Sequence, residues 1–376
     1  MCPVAERNAM RVRLLADDRT GAIDTAVRFV PLAGPLLVRW DLAKALTSTG
    51  RNSEGSFAFD MGTRELNDAD SAQLATSAAT LLRDADLAYL KCDSLLRGSL
   101  AQEIVACLRA QPFDHCVIAP AFPAQRRITR NGRQWAVAHG NDEWQLVGPD
   151  LAAQLGELGF SVSKCAPGDK APQGVSLWDA ETIEDLQQIV AEGRRLPGRV
   201  LWCGSAGLAE AMAGAEPLRI ETTGSPLLAL VGTDHPVTLR QLREIEPHRI
   251  VFDPGDAAGI AAIEAQLQQK GAAVVTVHVP DVADRHLAAS RIGASFTNLL
   301  AALPRPGTLF VTGGETLSRV CAALGAEALE VQGEIEPGIP VSVLKGGKWQ
   351  GVRVISKSGA FGNDGLIGRL ISLAQS

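Results

Sequence analysis

The sequence predicts an α/β protein of two domains, each a mostly parallel sheet flanked by helices. Three observations predict it. Short apolar runs alternate with helix-length amphipathic stretches, the rhythm of parallel strands joined by crossover helices. The 376-residue chain is 46% apolar and 21% charged, enough to fill more than one ordinary core. The polar stretch EPLRIETTGSP at 216–226, with its Gly and Pro, divides two such series.

Taken in order, RVRLL, PLLV, SFAFD, LAYLK and HCVIAP read as strands, because each is a short apolar run bounded by charged or turn-forming residues. Apolar residues at helical spacing predict helices over Ser71–Leu82 and Leu100–Leu108. PGDKAPQG at 167–174 reads as an internal loop, and RVLWC as the next strand. Beyond the seam, LLALVG, RIVFD, AVVTVHV, TLFVTGG and VRVIS read as strands. Helices are expected over Leu239–Ile245, Ala258–Gln269 and Leu317–Leu324. The domains are therefore placed at 1–220 and 225–376. No fixed-period repeat or long low-complexity tract interrupts the pattern.

A net charge of -6 gives no electrostatic reason to expect nucleic acid, and leaves small anionic ligands open. Seven cysteines at positions 2, 92, 107, 116, 165, 203 and 321 form no C-x-x-C pair, so they read as reduced and mostly buried thiols. The six histidines show no metal-binding spacing: His115, His139 and His248 read as surface or core residues, while His235 is set apart by the turn GTDHP. There is neither a signal-peptide pattern nor a run of about 18 apolar residues, so a cytoplasmic chain without a membrane span is expected.

In open α/β sheets, ligands collect beyond the carboxyl ends of the strands. Four junctions of the first half, LLADDRTGAID, FDMGTRE, LKCDSLLRGSL and IAPAFPAQRRITRNG, put Asp17, Asp18, Asp24, Asp60, Arg64, Lys91, Asp93, Arg97, Arg126 and Arg127 near such ends. A single acid there caps a helix, and a single arginine lines a rim. Four junctions together predict a cleft whose acids orient hydroxyls or a metal and whose arginines grip an anion. The second half ends its strands in the glycine-bearing turns LVGTDHPVT, FVTGGETLSRV and ISKSGAFGNDGLI. Glycine lets the backbone approach phosphate and helix amides bind it, so these turns, with hydroxyls at Thr233 and Thr316, predict a nucleotide site. LKGGKWQG is no Walker A loop, because Trp349 stands where Ser or Thr is needed. SGAFGNDG spaces its glycines three apart and so departs from the dinucleotide fingerprint.

The chain resembles the four-carbon acid sugar kinases. ADDRTGAIDT is similar to the family's A-D-D-x-T-G-A-x-D-T opening, KCDSLLRGSL to its K-x-D-S-T-L-R-G-N segment, and PAFPAQRRITRNG to its P-A-F-P segment with the following Arg. GSAGLA, VTGGETLSRVCAALG, EIEPGIP and ISKSGAFG complete an ordered set over nearly the whole chain. Arg19 departs from an expected Phe, Leu95 from Thr, Ser99 from Asn, and Arg126 from a Gly.

The resemblance implies an acid sugar in the N-terminal domain, ATP in the C-terminal domain, and reaction in the cleft between them. Asp17 and Asp18 become the catalytic candidates, one as the base or hydroxyl-orienting group and the other holding Mg²⁺ through water. Asp24, Arg64, Lys91, Asp93, Arg97 and Arg127 are assigned to the substrate. Thr233, Gly313, Gly314, Glu315, Thr316, Gly359 and Gly362 are assigned to the nucleotide. No set of protein side chains is expected to cage a metal. A non-catalytic sensor of acid sugars or nucleotides is the alternative, and a homodimer is left open. A phosphatase of the haloacid dehalogenase type is disfavoured because Asp18 is followed by Arg19 and Thr20 rather than completing D-x-D.

Overall fold

The structure is a computed structural model that describes residues 10–49, 55–137, 142–253, 257–278 and 285–375. It separates into two compact units, Met1–Pro217 and Leu218–Ser376.

In the first unit, β1 (Val12–Ala16) leads into α1 (Arg19–Ala33), then β2 (Leu36–Arg39), α2 (Leu42–Thr49), β3 (Phe57–Asp60), α3 (Asp68–Ala78), β4 (Leu87–Lys91), α4 (Leu100–Ala110) and β5 (His115–Ala119). There follow β6 (Arg127–Arg130), β7 (Arg133–Val137), β8 (Trp144–Val147), α5 (Leu151–Glu157), β9 (Val162–Cys165), β10 (Gly174–Trp178), α6 (Ile183–Gly193), β11 (Val200–Gly204) and α7 (Ala206–Ala213). The order β2-β3-β1-β4-β11-β5-β10-β9 is parallel throughout. Strands β1, β4 and β5 are buried at every position, as parallel strands covered on both faces must be. Phe57, Phe59, Leu90, Ile104, Ile118 and Leu201 belong to the core on one side of this sheet. Strands β6, β7 and β8 make a separate antiparallel sheet that the sequence did not announce.

In the second unit, β12 (Leu227–Val231), α8 (Pro236–Arg243), β13 (Arg249–Phe252), α9 (Ala257–Lys270), β14 (Ala272–Val277), α10 (Arg285–Ala302), β15 (Thr308–Thr312) and α11 (Gly314–Ala323) alternate as expected. They are followed by β16 (Ala328–Glu334), β17 (Pro340–Lys345), β18 (Arg353–Lys357) and α12 (Leu366–Gln375). Strands β13, β14, β12, β15 and β18 pair in parallel, and β17 and β16 add an antiparallel edge. Val274, Phe310, Ile355, Ile367 and Leu370 fill the core beneath α12.

Local differences from expectation have local causes. Helix α8 begins at Pro236 rather than Leu239, because His235 Nδ1 accepts the Val237 amide at 3.2 Å and Pro236 presets the first turn. Gly174, expected in a loop, opens β10. Residues 218–222 pack with the second unit: the Ile220 amide donates to Glu334 O at 2.9 Å and Arg353 Nη1 to Thr222 O at 2.5 Å. His139, Val279 and Cys2 lie outside the described residues. The six described cysteines are buried. Among the described residues no helix is long and apolar enough to cross a membrane.

Candidate active site

Strand register brings the first unit's site together. Ala16 pairs with Asp60 and with Lys91, and Lys91 with Gly204, so β1, β3, β4 and β11 end level. Beyond that edge the chain turns into loops and the helix α1. Asp18 caps α1, its Oδ1 accepting the Gly21 amide at 2.9 Å. A Cβ on Gly21 would lie 2.6 Å from Asp18 Oδ1 and 2.9 Å from Lys91 Nζ, so only glycine leaves room for both groups.

Arg64 is the centre of the cluster. Its amide donates to Asp17 O at 3.1 Å, which lays the 61–66 loop on the end of β1. Its Nη2 donates to Asp17 Oδ1 at 2.8 Å and Asp18 Oδ1 at 3.1 Å, its Nε donates to Asp17 Oδ2, and its Nη1 stands 3.5 Å from Asp93. Burial opposes ionisation of Arg64, but Asp17, Asp18 and Asp93 outweigh it and hold the guanidinium protonated. Arg97 forks onto Asp93 through Nε at 2.8 Å and Nη2 at 2.9 Å. Burial would raise the Asp93 carboxyl, yet Arg97, Arg64 and Lys91 hold it well below the usual range. The Arg97 side chain is 60% exposed against 8% for Asp93, so the fork spans the rim of the site.

Arg127 opens β6 and donates from Nη1 to Ser94 Oγ at 2.5 Å. Ser94 is held in turn by Gln134, whose Nε2 donates to its carbonyl at 2.8 Å. Burial draws the Arg127 pKa down. Among the described residues no carboxylate lies within ion-pair distance of it. Arg126, in contrast, turns through the left-handed region at φ 54° and pairs at the surface with Asp142 at 3.1 Å. Asp60 is engaged by Arg19 at 3.1 Å, and Arg19 stacks 3.9 Å over the Trp40 ring. Asp24 lies half-buried in the second turn of α1.

Glu103 of α4 went unmarked in the sequence. It lies 1% exposed behind the cluster, accepting the Thr63 hydroxyl at 2.5 Å. Burial first, and then Asp17, push its carboxyl up to about 7. No motif distinguishes this acid from a surface residue of an amphipathic helix.

The second unit gathers hydroxyls and glycines. Gly313, at φ 97°, precedes α11 without any side-chain cap, which leaves the first amides of that helix open. A Cβ at Gly232 would overlap Thr316 Oγ1, and one at Gly359 would stand 2.8 Å from Thr233 Oγ1 and from His235 Cβ. These glycines therefore let the β12, β15 and β18 ends converge around Thr233 and Thr316. The Thr312 hydroxyl is buried there without a hydrogen-bond partner. Glu315 instead pairs along the helix with Arg319 at 2.7 Å. Gly362, at φ 80°, sits against Leu366 and Gln241 and shapes the 358–363 loop.

Lys357 was quoted within ISKSGAFG but not singled out. It is 2% exposed, and its Nζ donates to Thr238 Oγ1 at 2.9 Å and to the carbonyls of Ser358, Gly359 and Phe361 at 3.1–3.2 Å. Burial lowers its pKa to about 8. A lysine at a strand end reads as solvent-facing until the loop that wraps it is seen. Lys348 of LKGGKWQG is likewise spent on structure, donating to the carbonyls of Leu300 at 2.9 Å and Ala301 at 2.8 Å.

Comparison with known proteins finds a family match in each half of the chain. Residues 12–150 match a sugar-binding N-terminal domain family, and residues 228–367 a nucleotide-binding C-terminal domain family. A D-threonate kinase of Cupriavidus necator is 30% identical over 404 residues, covering 93% of this chain and 95% of the relative. A 3-oxo-tetronate kinase of Pseudomonas fluorescens is 27% identical, covering 93% of each. A solved Haemophilus influenzae protein shares the fold at a TM-score of 0.73 and 19% identity, covering 96% of this chain and 99% of its own. Matched over 93% of its length by such relatives, the chain belongs to the family of four-carbon acid sugar kinases.

Proposed function

We infer that the chain transfers the γ-phosphoryl group of ATP to a hydroxyl of a tetronate such as threonate, erythronate or a 3-oxo form. The observation that carries the acid-sugar reading is Arg127. It is a half-buried guanidinium with a hydroxyl partner and no carboxylate, beside a set of charges that are mostly paired with one another. A planar carboxylate is the ligand that a guanidinium fork fits best.

Phosphoryl transfer is mostly positioning and charge neutralisation. Asp17 has both oxygens engaged by Arg64 and is buried, so it orients the guanidinium. Asp18 is one-third exposed and engaged only through Oδ1, so its Oδ2 is the atom suited to accept the sugar hydroxyl proton. In the second unit, the open amides of α11 and the hydroxyls of Thr233, Thr312 and Thr316 suit nucleotide phosphates. Among the described residues no three His, Cys, Asp or Glu side chains gather to hold a metal. Mg²⁺ would come carried on the nucleotide phosphates, where it would neutralise charge while keeping much of its water.

An ADP-release screen of the purified chain against threonates, erythronates and 3-oxo-tetronates tests the reading. Turnover with one of these, and a raised KM for it in Arg127→Lys with KM for ATP unchanged, is the expected result. Nucleotide and acid-sugar binding without ADP release from any of them would favour the sensor instead.

A further inference from the structure

Most charges in the first unit's site are spent on one another, but Lys91, like Arg127, is paired with no carboxylate among the described residues. It is 6% exposed, yet it makes no hydrogen bond or ion pair among the described residues. Its Nζ is aimed at the first turn of α1, 2.9 Å from where a Gly21 Cβ would stand. On that same turn the Thr20 hydroxyl is buried without a partner. Helix α1 is 15 residues long, and Asp18 engages the amide of Gly21 through its side chain while the amides before it have no intrahelical acceptor. A buried ammonium and a buried hydroxyl left unsatisfied are costly unless a ligand completes them.

We propose that Lys91, Thr20 and the open first turn of α1 form a receptor for the phosphoryl group as it arrives on the sugar. The donors are a point charge, a hydroxyl and helix amides, which suit a tetrahedral oxyanion, whereas the planar fork of Arg127 suits the carboxylate. The identity of the anion rests on the kinase reading; the existence of the site does not. In the transfer, the sugar oxygen forms a bond to the γ-phosphorus as the bond from that phosphorus to the β,γ-bridging oxygen breaks. ADP leaves with that oxygen, and the hydroxyl proton passes to Asp18. The Lys91 ammonium faces the equatorial oxygens and stabilises the charge that gathers on them.

The full chain is titrated calorimetrically with inorganic phosphate at constant ionic strength, with ADP saturating so that the second unit is filled. Wild type should bind phosphate, Lys91→Met should weaken it at least tenfold, and Thr20→Val should weaken it several-fold. The conservative Lys91→Arg should restore part of it. Melting temperatures confirm that each variant is folded, and Thr20→Val carries the test should Lys91→Met not fold. Unchanged phosphate affinity in the folded variants, or no phosphate binding by wild type, overturns the proposal. With an active tetronate, Lys91→Met should lower kcat more than tenfold and leave KM for the sugar within about twofold. A raised KM with kcat intact would assign Lys91 to the sugar carboxylate and overturn it as well. Absence of turnover by wild type would sink the kinase reading, while the phosphate titration would still decide the site.

Discussion

As proposed, the two candidate sites would each hold an anion, and would do so with opposite materials. The first unit uses charged side chains: Asp17, Asp18, Asp93, Arg64 and Arg97 form one buried-to-rim network of ion pairs. The second uses backbone: glycine turns, uncapped helix amides and hydroxyls, with Lys357 holding the loop from within. Side-chain charges are directional and can discriminate a small acid by the position of each oxygen. Backbone amides offer a generic cradle that any phosphate chain can enter. The difference teaches where selectivity should reside, in the half whose ligand must be told from close relatives.

The largest expected effect breaks the charged half. Arg64→Met leaves Asp17 and Asp93 buried without their shared partner, and should cost about 3 to 5 kcal/mol of stability. Urea unfolding of the variant checks it; a loss below 1 kcal/mol would mean the network is solvated rather than structural.

Next in size is a contrast of sign with pH. The folded Glu103 carboxyl keeps its proton up to about 7, against an ordinary value of 4.5. The native state then binds more protons than the unfolded chain between those values, so stability falls as pH rises through that window, by up to about 3 kcal/mol. Lys357, lowered to about 8 from 10.5, has the opposite sign: its unfolded form binds more protons, and stability rises from pH 8 to 10.5. Glu103→Gln should flatten the first slope and Lys357→Met the second. Melting temperatures across pH 4 to 10 decide, and parallel profiles for wild type and variants would refute the assignment.

A smaller effect tests the backbone half. Gly313→Val forces a β-branched residue to φ 97° and puts a Cβ 3.2 Å from Thr316 Oγ1. Strain on the order of 1 to 3 kcal/mol is expected there. ATP affinity should fall about tenfold or more while acid-sugar affinity holds, as measured by calorimetry with each ligand alone.

The smallest effect belongs to Arg97→Lys. Its fork is taken by Asp93 and its side chain is largely exposed, so the pair is expected to contribute about 0 to 1 kcal/mol. Steady-state constants close to wild type are the expected outcome; a tenfold rise in KM for the acid sugar would return Arg97 to the carboxylate grip.

How far this comparison could be read from sequence differs between its halves. Central strands such as LAYLK and LLALVG were legible because both faces are buried and the apolar run is unbroken. The strand-end charges were legible as a set, and DSLLRGS spaces Asp93 and Arg97 four apart, close enough to pair; nothing in the sequence says that Arg127 finds a hydroxyl. Helix α1 hides its periodicity because Gly21, Ala22, Ile23 and residues 25–30 are all buried. The β16–β17 edge was missed because β18 closes the parallel order and the antiparallel pair has no crossover helix to mark it. Glu103 and Lys357 were invisible for one reason: their weight comes from burial by residues distant in the chain.

The level ending of β1, β3, β4 and β11 limits how this half can change over descent. Alternate residues of a strand face opposite sides of the sheet, so one residue inserted into β1 would turn its side chains over and shift Asp17 off the edge it shares with Arg64. One residue inserted into the loop before Arg64 leaves the ladders intact and moves a single charge. Altered acid preferences should therefore arise by exchange of residues or by loop length past the last paired position, with the strands themselves closed to insertion and deletion.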